Sequence, residues 1–184
     1  MNELRENAVR NLLLSIGEDP EREGLQNTPC RVAKMYSELF CGYTQDPQNI
    51  LGVMFTNEAI DLQEMVIVKD IGFYSHCEHH MVPFVGVVHI AYIPDKKFVG
   101  LSKLGRLVEC FSRRLQVQER LTKQLVDEIE EALKPKGVAV VISAEHLCMT
   151  MRGVQKAGTK TVTSLVTGLF RTDPTIKASF YSML

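Results

Sequence analysis

Ser75-His76-Cys77-Glu78-His79-His80 and the distant His146-Leu147-Cys148 place the tightest demand on how this chain folds. Together they hold four of its five histidines and two of its five cysteines. Thiolate and imidazole are ligands that zinc favours, and zinc sites commonly join two short chelating segments from separate parts of a sequence. A fold that uses both clusters must bring them to one place. Cys77 and His80 are three apart, so a helical turn would point both the same way. His146 and Cys148, two apart at the end of a predicted strand, can also share a face. The spacing offers more ligands than one tetrahedral ion takes. Four protein ligands would make the metal structural; three would leave the fourth position to water.

Periodicity divides the chain into helices first and mixed elements after. Residues 3–16 repeat Leu4, Ala8, Leu12 and Ile16 at the helical period, and Gly17-Glu18-Asp19-Pro20 stops them. Thr28-Pro29 predicts a capped helix start, followed by Val32, Met35, Tyr36, Leu39 and Phe40. Asp46 to Gly52 predicts a short helical turn. From Met65 the pattern changes: Met65–Tyr74 and Val82–Ile93 are rich in Val, Ile, Phe and Tyr and predict strands flanking the first cluster. Helices are expected over Ser102–Leu115 and on to Leu133, the second carrying Leu121, Leu125, Ile129 and Leu133. Val138–Ser143 predicts a strand, since five of its six residues are apolar and four of those β-branched, and it leads straight into His146 and Cys148. Thr159–Phe170 predicts a last strand. Adjacent strands with short connections pair antiparallel, which gives an α+β class. The expected division is an N-terminal helical segment, residues 1–60, and an α+β domain, residues 61–184, that carries both clusters.

The rest of the composition removes other classes. A net charge of −1 gives no general attraction to nucleic acid or to a membrane surface. No stretch approaches the roughly 20 apolar residues of a membrane span, and the charged Met1–Arg10 does not read as a signal peptide. An odd cysteine count without a dense framework favours a reducing cytoplasm, with Cys30, Cys41 and Cys110 as small core residues. His89, alone among strand residues, is expected to be a satisfied polar group.

An anion therefore needs a local cluster of cations. Ser102-Lys103-Leu104-Gly105-Arg106 opens a helix, with Ser102 expected as cap and Lys103 and Arg106 on its first turns. There an anion is favoured by helix dipole and side chains together. Arg152 adds a charge four residues after Cys148. The plain alternative is a capped helix with solvated Lys and Arg. Gln118-Glu119 opens the next helix, where an amide and a carboxylate either read the N–H and C=O edge of a heterocycle or form a solvated first turn. Gly153–Thr161 lacks the Gly-Lys adjacency of a phosphate-binding loop.

Taken as a set, Cys77-Glu78-His79-His80, Gly100-Leu101-Ser102-Lys103, Gln116 to Thr122, and His146-Leu147-Cys148 through Met151-Arg152-Gly153 resemble GTP cyclohydrolase I, in the right order. The resemblance covers roughly residues 65–170, with Thr28–Ala33 a looser match. It implies a tunnelling fold, an antiparallel sheet with two packed helices and an N-terminal helical appendage. It also implies that the sheets join into a ring barrel, in a homodecamer made of two pentamers with active sites at subunit interfaces. The implied reaction takes GTP and water to 7,8-dihydroneopterin triphosphate and formate, the first step of folate or tetrahydrobiopterin synthesis. By the same resemblance Cys77, His80 and Cys148 hold zinc (Zn2+), His146 and His79 exchange protons, and Ser102 assists the ribose rearrangement. Gln118 and Glu119 hold the pyrimidine edge, while Lys103, Arg106 and Arg152 take the triphosphate. A regulatory protein leaves no motif. Two rivals predict otherwise. A zinc-stabilised binding module needs four protein ligands, and a zinc deaminase expects a Cys-x-x-Cys pair that Cys148-Met149-Thr150-Met151 does not supply.

Overall fold

The computed structural model describes residues 2–52, 54–56 and 64–184. The chain forms two compact units, residues 1–41 and 42–184; the expected boundary at 60/61 lies outside the described residues. In the first unit, α1 (Asn2–Ser15) packs on α2 (Thr28–Leu39), and Arg5 Nη1 donates to Ser37 Oγ at 2.6 Å. The predicted stripe on α1 forms a helix but buries nothing: Leu4, Leu12 and Ile16 remain exposed.

The second unit is built on a five-stranded sheet in the order β5-β2-β3-β6-β7. Its strands are β2 (Val66–Cys77), β3 (Pro83–Ile93), β5 (Leu115–Gln116), β6 (Gly137–His146) and β7 (Lys160–Val166). A separate ribbon pairs β1 (Met54–Thr56) with β4 (Lys97–Val99). The long ladders are antiparallel, as the α+β reading expects, while β5 makes a two-residue parallel contact with His76 and Cys77. That contact corrects the expected helix over Ser102–Leu115. After the short α3 (Pro47–Leu51), which meets the helical turn expected over Asp46–Gly52, helix α4 (Leu101–Ser112) ends at Ser112, and Leu115 turns into the sheet edge.

Period-two alternation decides which side of the sheet is covered. Phe84, Val88, Ile90 and Tyr92 of β3 and Val138, Val140, Ile142 and Ala144 of β6 enter one apolar cluster. Leu104, Leu107, Val108 and Phe111 of α4 (Leu101–Ser112) join it, with Leu121, Leu125, Ile129 and Leu133 of α5 (Gln118–Leu133). Each fully buried leucine there contributes about 1.5–3 kcal/mol. The odd positions Ala91, Ile93, Ala139 and Val141 form a smaller cluster with Phe170 and Phe180. Cys110 is fully buried, whereas Cys30 and Cys41 are only half-buried and so fall short of the expected core placement.

Three local details differ from expectation. Gly100 caps α4, and Ser102 makes no capping hydrogen bond. Likewise Asn27 precedes α2 in place of Thr28. The strand expected over Thr159–Phe170 stops at Val166, because Gly168 adopts φ +50° where a Cβ would lie 2.1 Å from Lys136 O. The chain then enters α7 (Gly168–Thr172) and α8 (Pro174–Ser182), the latter capped by Asp173.

Candidate metal centre

Strand register brings the two Cys/His clusters together. Ser75 of β2 sits opposite Phe84 of β3, and Phe84 sits opposite His146 of β6. The ends of all three strands therefore lie side by side. Gly86 lets β3 and β6 approach here, since a Cβ on it would meet Ser143 O at 2.1 Å. His146 has the same parity as Val138, Val140, Ile142 and Ala144, so it continues the helix-covered face. The centre thus closes one end of the main core.

Beyond β2 the chain makes one helical turn that is not continued, in keeping with the three-residue spacing of Cys77 and His80. Met81 N donates to Cys77 O at 2.8 Å, Cys77 N donates to Val82 O at 3.0 Å, and Met81 adopts φ +53°. Beyond β6, the single helical turn α6 (Leu147–Thr150) carries Cys148. One ligand atom each from Cys77, His80 and Cys148 lies within 4.8 Å of the others. Among the described residues this group has three members, so the arrangement could hold a metal ion without a fourth protein ligand. The donor chemistry fits a cation. Burial first, and then the neighbouring Cys77 thiol, push the Cys148 thiol above its ordinary value. Two thiolates this close repel, and a bound divalent cation removes both penalties.

The histidines are held differently. His80 Nε2 accepts from Arg152 Nη1 at 3.2 Å, which places the predicted anion-binding arginine against the metal group. His79 is mostly exposed, with Nδ1 3.6 Å from Cys77 Sγ. His146 stacks on Phe84 with ring centroids 4.6 Å apart and planes 3° from parallel. Its Nε2 bonds to Gln118 Oε1 at 2.8 Å. Burial holds the His146 ring below the usual imidazole value, against an upward pull from the Glu119 carboxylate. Gln118 itself is 1% exposed and begins α5. Its neighbour Glu119 is exposed and lines a shallow cavity of about 320 Å³ with Thr122, Lys123 and Thr163 along the β7 edge.

Ser102 and Lys103 lie in the first turn of α4, and Arg106, near its middle, lines a small cavity with Gln45, Ile50 and Glu109. The C-terminal end of α4 leads to β5 beside Cys77, while Ser102 opens the same helix. At 1.5 Å per residue the two helix ends are about 15 Å apart. One pair was not anticipated from the sequence. Arg120 on α5 makes a two-pronged ion pair with Glu78 in the metal turn, Nη2 to Oε1 at 3.0 Å. The Arg120 guanidinium holds the Glu78 carboxyl below its usual range. Both residues sit inside the motifs, but no spacing rule pairs a turn with a distant helix start. Phe84 and Thr163 gave no signal beyond apolar and β-branched strand character.

Residues 5–184 match the family described as GTP cyclohydrolase I. The chain belongs to that family. It is 58% identical over 175 residues to GTP cyclohydrolase 1 of Bartonella quintana (strain Toulouse), covering 95% of this chain and 84% of that protein. A second relative, GTP cyclohydrolase 1 of Brucella anthropi, is 58% identical over 163 residues, 89% of this chain and 76% of its own. GTP cyclohydrolase 1 of Bartonella bacilliformis is 53% identical over 178 residues, with coverage of 97% and 86%. The matched residues include the metal group and both helix starts.

Proposed function

We propose that this chain converts GTP and water to 7,8-dihydroneopterin triphosphate and formate, using zinc held by Cys77, His80 and Cys148. One observation carries the reading beyond family membership: two thiols and an imidazole converge in a group that no fourth Cys, His, Asp or Glu joins among the described residues, beside a histidine held by stacking and a hydrogen bond. Zinc, when bound there, supplies the polarisation that makes water nucleophilic near neutral pH.

The protein's own groups then divide the work. His146 exchanges a proton with the purine ring nitrogen as the bond to C8 is opened, and the exposed His79 serves as a second acid or base. Glu119 takes the N–H groups of the pyrimidine edge. Gln118 lies beside it with its amide N–H committed to protein acceptors and its oxygen bonded to His146. Arg152 reaches the site directly. It shares the triphosphate with Lys103 and Arg106, while Ser102 assists the later ribose rearrangement.

Those last three residues imply more than one copy. Ser102 and Lys103 lie in the first turn of α4, at the far end from the β5 edge beside this chain's Cys77, and Arg106 faces Gln45 and Ile50, so a neighbouring copy supplies them. A homodecamer of two stacked pentamers, with tunnelling-fold sheets joined edge to edge, meets that need. β7 forms one edge of the sheet, and the exposed Leu4, Leu12 and Ile16 give a further apolar face to cover. A cytoplasmic setting fits five cysteines that form no disulfide, and among the described residues no helix is long and apolar enough to cross a membrane.

Incubating the purified protein with GTP tests the whole reading. Formate release and pterin fluorescence after oxidation, both abolished by a chelator and restored by zinc, are expected. A protein with metal bound and no formate released would reject it.

A further inference from the structure

The amide of Gln118 has four partners, and their chemistry fixes the hydrogens on His146. Gln118 Nε2 lies 3.1 Å from Ile142 O, 3.0 Å from Thr161 O and 3.1 Å from Thr163 Oγ1. Two of these three neighbours are backbone carbonyls, which only accept. The amide group facing them must therefore be the NH2, and exchanging its oxygen and nitrogen would set lone pair against lone pair. The third neighbour agrees. Thr122 Oγ1 donates to Gln118 O at 2.8 Å, so across the 2.7 Å contact between the two threonines Thr163 is the donor. Its lone pairs then turn to Gln118. With the NH2 committed, Oε1 is what faces His146 Nε2 at 2.8 Å. An amide oxygen cannot donate, so Nε2 must carry a hydrogen. In the neutral ring the lone pair then sits on Nδ1. Stacking on Phe84 keeps the ring plane fixed while it does.

We propose that Gln118 is a positioning residue that locks His146 in its Nε2–H tautomer, so that Nδ1 is the nitrogen exchanging a proton with the purine. The lock follows from the hydrogen bonds alone; its catalytic consequence rests on the GTP reading above. It also separates the two residues that open α5. Glu119 addresses substrate, whereas Gln118 acts through His146 and is saturated by protein partners.

The test uses metal-loaded protein labelled with 15N,13C-histidine and studied by solid-state NMR, at a pH where the ring is neutral. His146 is assigned among the five histidines by the signal lost in His146→Ala. A bare nitrogen correlated to Cγ, hence Nδ1, is expected; a bare nitrogen correlated to Cδ2 would overturn the lock. Gln118→Met keeps length and removes every polar partner. It should lower kcat by about 10²-fold with KM and metal content within about twofold, and should give mixed tautomers. A raised KM with unchanged kcat would instead make Gln118 a substrate ligand and overturn the proposal. The unsubstituted spectrum decides the tautomer even where the Met variant does not fold. A locked tautomer in a protein that leaves GTP untouched would reject the GTP reading alone.

Discussion

His79 and His146 are both proposed to move protons, yet the structure holds them in opposite ways. His79 sits on a tight turn with 65% of its side chain exposed, and its near neighbours are Cys77 and Glu78. His146 ends a long strand, stacked on Phe84 and bonded to a saturated amide. The difference follows from what each corner of the site must do. Metal ligands from a turn and from α6 need only converge, since the ion completes their geometry. A proton carrier has no ion to orient it, and a displacement of 1 Å can cost about 10²-fold in rate. Preorganisation is therefore concentrated on the strand side.

Substitutions break this comparison from its strongest point downward. Cys148→Ala should remove both metal and activity, with formate release falling below detection while circular dichroism keeps the fold. Bound zinc in that variant would overturn the ligand assignment. Next, His146→Ala should keep its metal and lose about 10²–10⁴-fold in kcat, whereas His79→Ala should lose less than His146→Ala. Equal losses, read by single-turnover kinetics, would erase the contrast between a fixed and a loose histidine. Glu119→Ala should reduce kcat/KM for GTP by about 10²-fold without unfolding, since the proposed role sets the carboxylate against the purine; unaltered kinetics would reject that anchoring role. Arg120→Lys keeps the charge but loses the fork that grips Glu78. A few-fold weaker zinc affinity with little change in kcat is expected from chelator competition. A larger loss in kcat than in metal affinity would show that the turn needs rigidity as much as the strand does.

The smallest effect lies away from both corners. Burial first, then Glu131 and Asp46, raise the Glu128 carboxyl above its ordinary value, and its Oε1 is buried without a partner. Between the unfolded and folded pKa values the folded chain binds more protons, so stability falls as pH rises through that window. Glu128→Gln should therefore raise the melting temperature slightly at pH 7 and leave it unchanged near pH 4. A lower melting temperature at pH 7 would mean that the carboxylate has a partner worth keeping.

Much of this was legible from residue order. The apolar run Val138–Ser143 announced β6 and its exit into His146 and Cys148, and the four-residue spacing of Leu121, Leu125 and Ile129 announced α5. These signals are local, because burial of one face imposes its period on the chain. The end of α4 and the stop after Val166 were not legible. Each depends on a distant neighbour: β5 reaches Cys77, and Gly168 passes against Lys136 O. The single helical turn at Cys77–His80 follows the ligand spacing, but the bond from Cys77 N to Val82 O that closes it back onto β3 was not legible.

The site divides along the same line. Residue types and their order determined which ligands and which charges were on hand, because a metal or a phosphate selects donors by chemistry. Only the tertiary structure decided that Phe84 would back His146, that Arg120 would grip Glu78, and that Gln118 would spend its amide on Ile142, Thr161 and Thr163. A hydrogen bond acts through direction and through distances near 3 Å. Those are set by strand register and helix placement across the whole sheet, which no local stretch of sequence contains.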